Sequence, residues 1–348
     1  MGMKVFKALS MEKLEEITDK IKNIKVALIG DLCLDVYWIA DMTKSELSRE
    51  TPHFPLPVIS ERITPGAGGN AATNIAALKP LSLKVLGVAG KDWRGEILLS
   101  ALKNEGINTD GVVVSEKVIT NAYCKPIRKG ISPVEYEDPR IDFANYEFLV
   151  EDAEKELIRQ LESVIDTVDV LCVSDQMVFG CVTPKVREKI IFYGLQGKKI
   201  VVDSRDRIGQ YKGVFLKPNE VEGYKAVYSE IPPKDISFDK YPNIARLLAE
   251  GQQSKVCMTL GAKGCLYADD TTIVHVPCYP IDPPIDFCGA GDTFLSAFSC
   301  ALATGAKPWE AASFANMAAE VTIKKIGTTG TASPEEIRER HQEIISKM

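Results

Sequence analysis

The stretch KVALIG, residues 25–30, is apolar almost throughout. A strand with one face in water alternates apolar and polar residues, whereas a strand covered on both faces is apolar along its length. Four further stretches have the same character and are accompanied by segments with helical periodicity. These stretches are residues 83–89, 168–173, 199–203 and 255–260. The pattern predicts an α/β fold in which a doubly wound, mostly parallel sheet is flanked by helices.

Helices are predicted between and after these strands, several of them opened by a capping residue. The predicted helices are residues 70–78, 93–105, 152–163, 183–194, 219–228, 289–304, 307–324 and 333–348. Residues 1–24 are predicted to be an N-terminal helix that begins near Ser10. Residues 25–348 show no linker or repeat and are predicted to form one domain.

Composition excludes several classes of function. Of the 348 residues, 45% are hydrophobic and 26% are charged, and 42 basic against 48 acidic residues give a formal net charge of -6. No basic block is dense enough to follow a phosphate backbone, so nucleic acid is not an expected partner. No apolar run approaches the roughly 20 residues of a membrane span, so a membrane is not expected either. Nine cysteines without a C-x-x-C pair and only three histidines argue against a zinc framework or histidine-based catalysis. The N-terminus lacks an apolar signal core, which favours a cytoplasmic location.

Two stretches interrupt the alternation of strands and helices. Residues 36–63 contain three prolines, and residues 111–146 run through β-branched, aromatic and acidic segments. Both are typical of exposed short strands rather than crossover helices. They predict one small β-sheet built from two excursions of the chain, which serves as a lid or as a dimer surface. A pair of ordinary surface hairpins is the alternative.

The segment DFCGAGDTF, residues 286–294, runs directly into an apolar helix. Gly289 and Gly291 allow a tight turn whose N–H groups fall at a helix start, where unpaired amides and the helix dipole favour an anion. Asp292 lies within reach of a phosphoryl group bound there and of an incoming hydroxyl, which suits a general base for phosphoryl transfer. From this segment alone, a helix cap is an equally good interpretation of Asp292.

Five elements occur in the order and at the approximate spacing of the ribokinase-like (PfkB) sugar kinases, and the sequence resembles that family over essentially the whole chain after residue 24. They are Gly30-Asp31 with Asp35, Pro65–Asn70, Asn219-x-x-Glu222, Thr259-x-Gly261-x-x-Gly264 and Gly289–Asp292. The resemblance implies a ribokinase-like fold with a small β lid and an ATP-dependent carbohydrate kinase. A catalytically silent sugar or nucleotide sensor on the same scaffold is the remote alternative.

The resemblance also implies roles for the residues around the acceptor. Asp292 is expected to deprotonate the acceptor hydroxyl. The amides of the segment before it are expected to form an anion hole for the transferring phosphoryl group; these are the amides of Gly289, Ala290, Gly291 and Asp292 itself. Asp35 is expected to bind acceptor hydroxyls. The glycine-rich loop is expected to approach the acceptor through Gly66, Gly68 and Asn70.

On the nucleotide side, Asn219 and Glu222 match the N-x-x-E motif, which implies that they position Mg²⁺, largely through water. A helix cap with an exposed first-turn glutamate is the alternative for this pair. Asp286 and Gly327 lie where many members of the family bind a monovalent cation, so K⁺ is a candidate beside ATP and Mg²⁺. The residues expected to contact the nucleotide are Asn219, Glu222, Thr259, Gly261, Gly264 and Asn316.

Within the family, the sequence is most similar to the D-glycero-β-D-manno-heptose 7-phosphate kinase branch. Residues 30–38 (GDLCLDVYW), 140–143 (RIDF) and 325–328 (KIGT) carry this likeness. It implies a phosphorylated acceptor, which needs cations; the candidates are Arg140, Arg205 and Arg207. A free sugar, a fructose phosphate and a nucleoside are the alternative acceptors. Because lid-to-lid dimers are common in the family, a homodimer through the lid is also expected.

Overall fold

The computed structural model describes residues 2–234 and 236–347. In chain order, its strands are β1 (Lys4–Val5), β2 (Lys25–Gly30), β3 (Leu32–Asp41), β4 (Val58–Ala67), β5 (Ser82–Gly90), β6 (Asn108–Ser115), β7 (Asn121–Lys129), β8 (Tyr136–Glu137), β9 (Ile141–Phe143), β10 (Val170–Asp175), β11 (Ile200–Ser204), β12 (Phe215–Leu216), β13 (Lys255–Thr259), β14 (Cys265–Ala268) and β15 (Ile273–Val276). Its α-helices are α1 (Met11–Ile21), α2 (Gly68–Ala77), α3 (Trp93–Asn104), α4 (Glu151–Val164), α5 (Pro184–Leu195), α6 (Glu220–Tyr228), α7 (Tyr241–Gln252), α8 (Ala290–Ala303), α9 (Pro308–Thr322) and α10 (Pro334–Lys347).

Ten strands form the main sheet, in the order β1-β15-β14-β13-β12-β11-β10-β2-β5-β6. Strand β14 is antiparallel to both of its neighbours, and the remaining neighbours run parallel. The strand order reverses at β2, which has β5 on one side and β10 on the other. In open α/β sheets, ligands bind at the carboxyl ends of the strands near such a point.

Both faces of this sheet are covered, as the apolar strands predict. Along β2, Val26 and Leu28 belong to one hydrophobic core, and Ala27 and Ile29 belong to another on the opposite face. Helices α1, α2, α3, α8, α9 and α10 contribute to the first core. Helices α4, α5 and α7 contribute to the second. The pattern of KVALIG therefore reflects two apolar environments rather than one.

A second, smaller sheet has the order β4-β3-β7-β8, and β9 also pairs with β7. Strand β3 follows β2 after a single residue, Asp31, so the small sheet begins at the carboxyl edge of the main sheet. The structure differs from the predicted bounds in two respects. The first excursion, predicted as residues 36–63, extends from Leu32 to Ala67. Residues 108–115 form β6 and pair in parallel with β5 at the edge of the main sheet, so the second excursion begins near residue 121 rather than 111.

Three elements of the structure were not predicted: strands β1 and β12 and helix α7. Strand β1 has only two residues, too few to show a periodicity, and it adds to the edge of the main sheet beside β15. Helix α7 contains Pro242 in its first turn, where the missing N–H is not needed.

The N-terminal helix α1 begins after Ser10, and its Leu14 and Ile17 join the first core. Among the described residues, we find no helix long and apolar enough to cross a membrane.

Candidate active site

Site residues gather at the carboxyl edge of the main sheet. Asp31 follows β2, Asp203 lies near the end of β11, and Lys217 follows β12. Asp31 has a structural role here: its carboxylate oxygens accept hydrogen bonds of 2.7–2.8 Å from the amides of residues 176, 177 and 181. These bonds hold the loop after β10 against the end of β2.

Asp292 lies in the first turn of α8, and its side chain is half-buried. Asn70 Nδ2, in the first turn of α2, donates a 2.6 Å hydrogen bond to Asp292 Oδ2. The residue at the N-cap of α8 is Gly289 rather than Asp292, so the helix-cap interpretation is wrong. Burial raises the pKa of Asp292 to about 7, although the bond from Asn70 lowers it. A carboxylate with this pKa is well matched to accepting a proton near neutral pH.

The glycine turn before Asp292 has a left-handed conformation at Gly289, with φ of +80°. The first N–H groups of a helix have no partner within that helix, which leaves the amides of Gly291 and Asp292 available to an anion. Ala290 differs from the prediction, because its N–H donates to Phe287 O at 3.2 Å and is already occupied.

Lys217 is a candidate functional residue that the sequence analysis missed. Its side chain is almost fully buried, and Nζ lies 3.0 Å from Asp203 Oδ2. Burial lowers the pKa of Lys217, but the carboxylates of Asp203 and Glu222 outweigh this effect and raise the pKa above its ordinary value. A Cβ added to Gly291 would lie 3.8 Å from Lys217 Nζ, so the ammonium group stands beside the glycine turn. The only sequence signal was a lysine directly after an apolar strand.

Asn219 and Glu222 form a reciprocal capping box at the start of α6. Asn219 Oδ1 accepts from the Glu222 amide at 2.8 Å, and Glu222 Oε2 accepts from the Asn219 amide at 2.8 Å. The capping interpretation is thus correct for the hydrogen bonds of this pair, but Glu222 is half-buried rather than exposed and interacts electrostatically with Lys217. Burial and Asp203 raise its pKa, which Lys217 lowers, to a net value of about 7. The Oε1 atom of Glu222 takes no part in the capping box.

The turn after β13 lies beside this capping box, because Asn219 and Thr259 form an isolated parallel bridge. Gly264 has φ of +85°, and an added Cβ would lie 2.1 Å from Val276 O, so the turn requires glycine there. Gly261 is also left-handed, with φ of +55°. The structure does not support a nucleotide contact by Asn316: the side chain is 5% exposed, and its amide nitrogen donates inward to the carbonyls of residues 276 and 277.

On the acceptor side, Asp35 and Gly66 are brought together by pairing of β3 with β4. A Cβ added to Gly66 would lie 2.5 Å from Asp35 Oδ2, so only glycine allows this approach. The Gly68 amide donates to Asp31 O at 2.8 Å. Lys125 Nζ, on β7, contacts Asp35 Oδ1 at 3.2 Å and Tyr37 Oη at 3.0 Å. Lys125 was not predicted, since it reaches Asp35 only through the parallel pairing of β3 with β7.

The arginines suggested for an acceptor phosphate have different surroundings. Arg207 is wrong for this role, because its guanidinium binds the buried Asp175 carboxylate. Arg140 binds Asp142 through two hydrogen bonds, at 2.6 and 2.7 Å, and lies over the Tyr123 ring. Arg205 is exposed, and its charge lowers the pKa of Tyr123 and of Glu222 against the larger effect of burial.

Asp286 and Gly327 are adjacent in the structure although 41 residues separate them. Asp286 Oδ2 accepts from the Gly327 amide at 3.0 Å, and Oδ1 accepts from the Cys288 amide at 3.0 Å. The two segments therefore form one loop cluster just before the glycine turn.

A mostly parallel sheet is covered on both faces and has a carboxylate, a buried lysine and a glycine turn at its carboxyl edge. This arrangement is typical of α/β phosphotransferases. Residues 24–336 match the sequence model of the pfkB family carbohydrate kinases, and the chain belongs to this family. This is the family that the sequence analysis identified by resemblance.

Curated relatives carry the name bifunctional protein HldE. That of Geobacter sulfurreducens is 31% identical over 318 residues, which are 90% of this chain and 62% of the relative. That of Geobacter metallireducens is 29% identical over 334 residues, 94% and 65% of the two chains. The chain thus spans less than two thirds of the length of these relatives.

Solved structures confirm the predicted ribokinase-like fold class. Phosphofructokinase-2 from Escherichia coli, in complex with substrates and products, superposes with a TM-score of 0.70 at 21% identity, over 92% of this chain and 99% of that one. Ribokinase from Arabidopsis thaliana, complexed with ribose and ATP, superposes with a TM-score of 0.67 at 18% identity over the same shares.

Proposed function

We propose that the chain transfers the γ-phosphoryl group of ATP to a hydroxyl of a sugar phosphate, with heptose 7-phosphate as the preferred acceptor. The observation that carries the proposal is Asp292: a half-buried carboxylate at the start of α8, bonded to Asn70 and close to the buried Lys217. Its pKa of about 7 places it between its proton-accepting and proton-donating forms at neutral pH.

In this mechanism Asp292 accepts the proton of the acceptor hydroxyl as that oxygen attacks the γ-phosphorus of ATP. The bond between the γ-phosphorus and the β,γ-bridging oxygen breaks, and ADP leaves with that oxygen. The amides of Gly291 and Asp292 and the ammonium group of Lys217 offset the negative charge on the transferring group. Asn70 donates to Asp292 and favours its ionised form before the transfer. Closure of the small sheet excludes water, which otherwise competes as the acceptor.

Mg²⁺ is the divalent cation that we propose for this site, and Glu222 with Asn219 would hold it, largely through water. The donor set fits: Glu222 Oε1 lies outside the capping box, and oxygen ligands suit a hard cation that keeps most of its waters. When bound, Mg²⁺ neutralises phosphate charge on ATP. The loop cluster of Asp286 and Gly327 is our candidate for K⁺. Thr259, Gly261 and Gly264 are proposed to contact the nucleotide.

The proposed acceptor subsite lies on the small sheet. Asp35 is positioned to bind sugar hydroxyls, and Lys125 and Arg140 project from strand β7 and from the residue before β9. Tyr123 of β7 lies opposite Asp35 on β3 and opposite Asp142 on β9. Arg140 stacks on the Tyr123 ring, which brings its charge to the strand position next to Asp35. These cations, together with the exposed Arg205, favour an acceptor that carries a phosphate group.

An ADP-release screen tests the proposal. The panel is heptose 7-phosphate, fructose 6-phosphate, unphosphorylated hexoses, ribose and adenosine, each with ATP and Mg²⁺. We expect the highest kcat/KM for heptose 7-phosphate, and Arg140→Met should raise KM for this acceptor more than for a free sugar. Higher kcat/KM on an unphosphorylated acceptor would contradict the acceptor class. Thermal stabilisation by ligands without any ADP release would indicate a sensor.

We also propose that the small sheet acts as the lid and joins two copies of the chain. Large apolar side chains on or next to its strands are exposed: Phe54, Val58, Ile59 and Tyr136. Burying such groups against a second copy removes them from water. Sedimentation velocity should show a dimer for the unmodified protein and a monomer for Ile59→Asp. A monomeric unmodified protein at the concentrations used for the kinase assay would contradict this.

A further inference from the structure

Three buried polar side chains connect helices α2 and α8 behind Asp292. Asn70, Asn74 and Thr293 are each at most 2% exposed. Thr293 Oγ1 contacts Asn74 Oδ1 at 2.8 Å, and Asn74 Nδ2 contacts Asn70 Oδ1 at 3.3 Å. The chain ends at the 2.6 Å bond from Asn70 Nδ2 to Asp292 Oδ2. We call these three residues the amide relay.

A main-chain carbonyl at one end of the Asn74 amide and the Thr293 hydroxyl at the other fix the direction of the bonds in the amide relay. Asn74 Nδ2 also donates to Asn70 O at 3.0 Å, and a carbonyl oxygen can only accept. The Asn74 amide is therefore held with its nitrogen toward Asn70 and its oxygen toward Thr293, whose hydroxyl must donate. With Asn74 Nδ2 at its oxygen, Asn70 must turn its own nitrogen toward Asp292.

We propose that Thr293 and Asn74 are positioning residues that keep the Asn70 amide from turning over, so that Asn70 presents a donor, never an acceptor, to Asp292. This inference rests on the proposed role of Asp292 as the base. When Asp292 is protonated, a free Asn70 amide could rotate and accept that proton in a hydrogen bond. Because the amide relay prevents this rotation, protonated Asp292 gains no hydrogen bond to Asn70, and the ionised form of Asp292 is favoured.

Several elements contribute groups that influence the pKa of Asp292, and the amide relay is one of these influences. Burial raises the pKa of Asp292, while Asn70 and Lys217 lower it. The charged and titratable groups around Asp292 are Asp35 and Cys33 of β3, Asp203 of β11, Lys217 after β12 and Cys288 before the glycine turn. Replacing Thr293 leaves all of these in place. It removes the 2.8 Å contact with Asn74 and a longer contact of the same hydroxyl with Gly289 O, at 3.2 Å.

The experiment measures the ionisation of Asp292 directly. Protein labelled with ¹³C at the aspartate carboxyl carbon is titrated by NMR, and the Asp292 signal is assigned by its loss in Asp292→Asn. Thr293→Val replaces the hydroxyl by a methyl group of similar size, and Thr293→Ser restores the donor. Ser296→Ala is the matched control, because Ser296 bonds to Ala71 O across the same two helices at 2.8 Å but lies outside the relay.

In Thr293→Val the Asn74 amide keeps only its contacts with Asn70. We expect the Asp292 titration to move upward by up to about one pH unit, the value for complete loss of one hydrogen bond to a charged group. The acidic limb of kcat with heptose 7-phosphate should move with it, so that turnover at one unit below the unmodified midpoint falls by up to about tenfold. Thr293→Ser and Ser296→Ala should titrate as the unmodified protein does.

An unmoved Asp292 signal in a folded Thr293→Val protein would overturn the relay, as would an equal shift in Ser296→Ala. Thermal unfolding and ATP binding verify that each variant is folded. Failure of the proposed function looks different: Asp292→Asn would then keep its turnover, whatever Thr293→Val does to the titration.

Discussion

Replacing Lys217 by methionine removes the one cation that is buried among Asp203, Glu222 and Asp292 in the described part of the cleft. At the observed 3.0 Å, Coulomb's law with an effective dielectric constant of 20 gives about 5.5 kcal/mol for the pair with Asp203. Breaking buried pairs costs about 3–5 kcal/mol in practice, so we expect a loss of this size in the free energy of unfolding. Urea denaturation at pH 7.5 measures it.

In Lys217→Met, turnover should fall by more than the loss of folded protein explains. Lys217 lowers the pKa of both Glu222 and Asp292, so its removal moves both pKa values upward and protonates the proposed base at neutral pH. Loss of one group that stabilises transition-state charge lowers kcat by about 10² to 10³, and the acidic limb of the pH profile should also move upward.

Arg340→Met is the matched control for this prediction. Arg340 forms a similarly buried pair with Glu320, at 2.7 Å, between α9 and α10 and away from the cleft. It should destabilise the protein to a similar degree while kcat and the pH profile of the folded fraction stay unchanged. A Lys217→Met protein with normal stability, or one whose kcat falls no more than that of Arg340→Met, would refute the reasoning.

Three further substitutions separate structural from functional residues. Gly264→Ala should destabilise the protein far more than Gly106→Ala, and urea midpoints compare the two variants. Both glycines are left-handed, which alone costs about 1–2 kcal/mol for alanine, but only the Cβ added at Gly264 meets other atoms. Asn316→Ala should lower stability by about 1–3 kcal/mol, with KM for ATP unchanged; a large rise in KM would restore Asn316 as a nucleotide contact. Asp31→Asn places an amide against three N–H donors and should cost about 3 kcal/mol or more; a loss below about 1 kcal/mol in urea denaturation would contradict this.

Local patterns were sufficient to predict most of the main sheet. Strand β2 spans residues 25–30, as predicted, because a short apolar run is a strong local signal for a strand covered on both faces. Strand β1 was missed because two residues carry no pattern, and its place depends on the distant β15. The edge strand β6 was assigned to the small sheet for a related reason: its residues alternate in burial like exposed strands.

The site was predictable where chemistry lies on one short segment. The glycine turn and Asp292 fall within four residues, and the capping box of Asn219 and Glu222 within another four. Lys125 and Lys217 were missed because their partners, Asp35 and Asp203, are far away in sequence and meet them only through strand pairing and chain reversal.

Two residues predicted to bind a ligand have partners inside the fold in this protein. Arg207 had the right charge for a phosphate, but a sequence cannot show that a buried carboxylate, Asp175, already binds it. Asn316 had the right position along α9, yet its amide satisfies the carbonyls at the end of β15. In both cases the demand for a partner inside the fold outweighs the proposed ligand.

The most direct test of the central claim is the single-turnover rate of phosphoryl transfer in Asp292→Asn, measured with saturating ATP, Mg²⁺ and heptose 7-phosphate. If Asp292 is the base, the rate should fall by about 10² to 10⁴ while the dissociation constant for ATP stays the same. A rate within a few-fold of the unmodified protein, with ATP binding intact, would contradict the account.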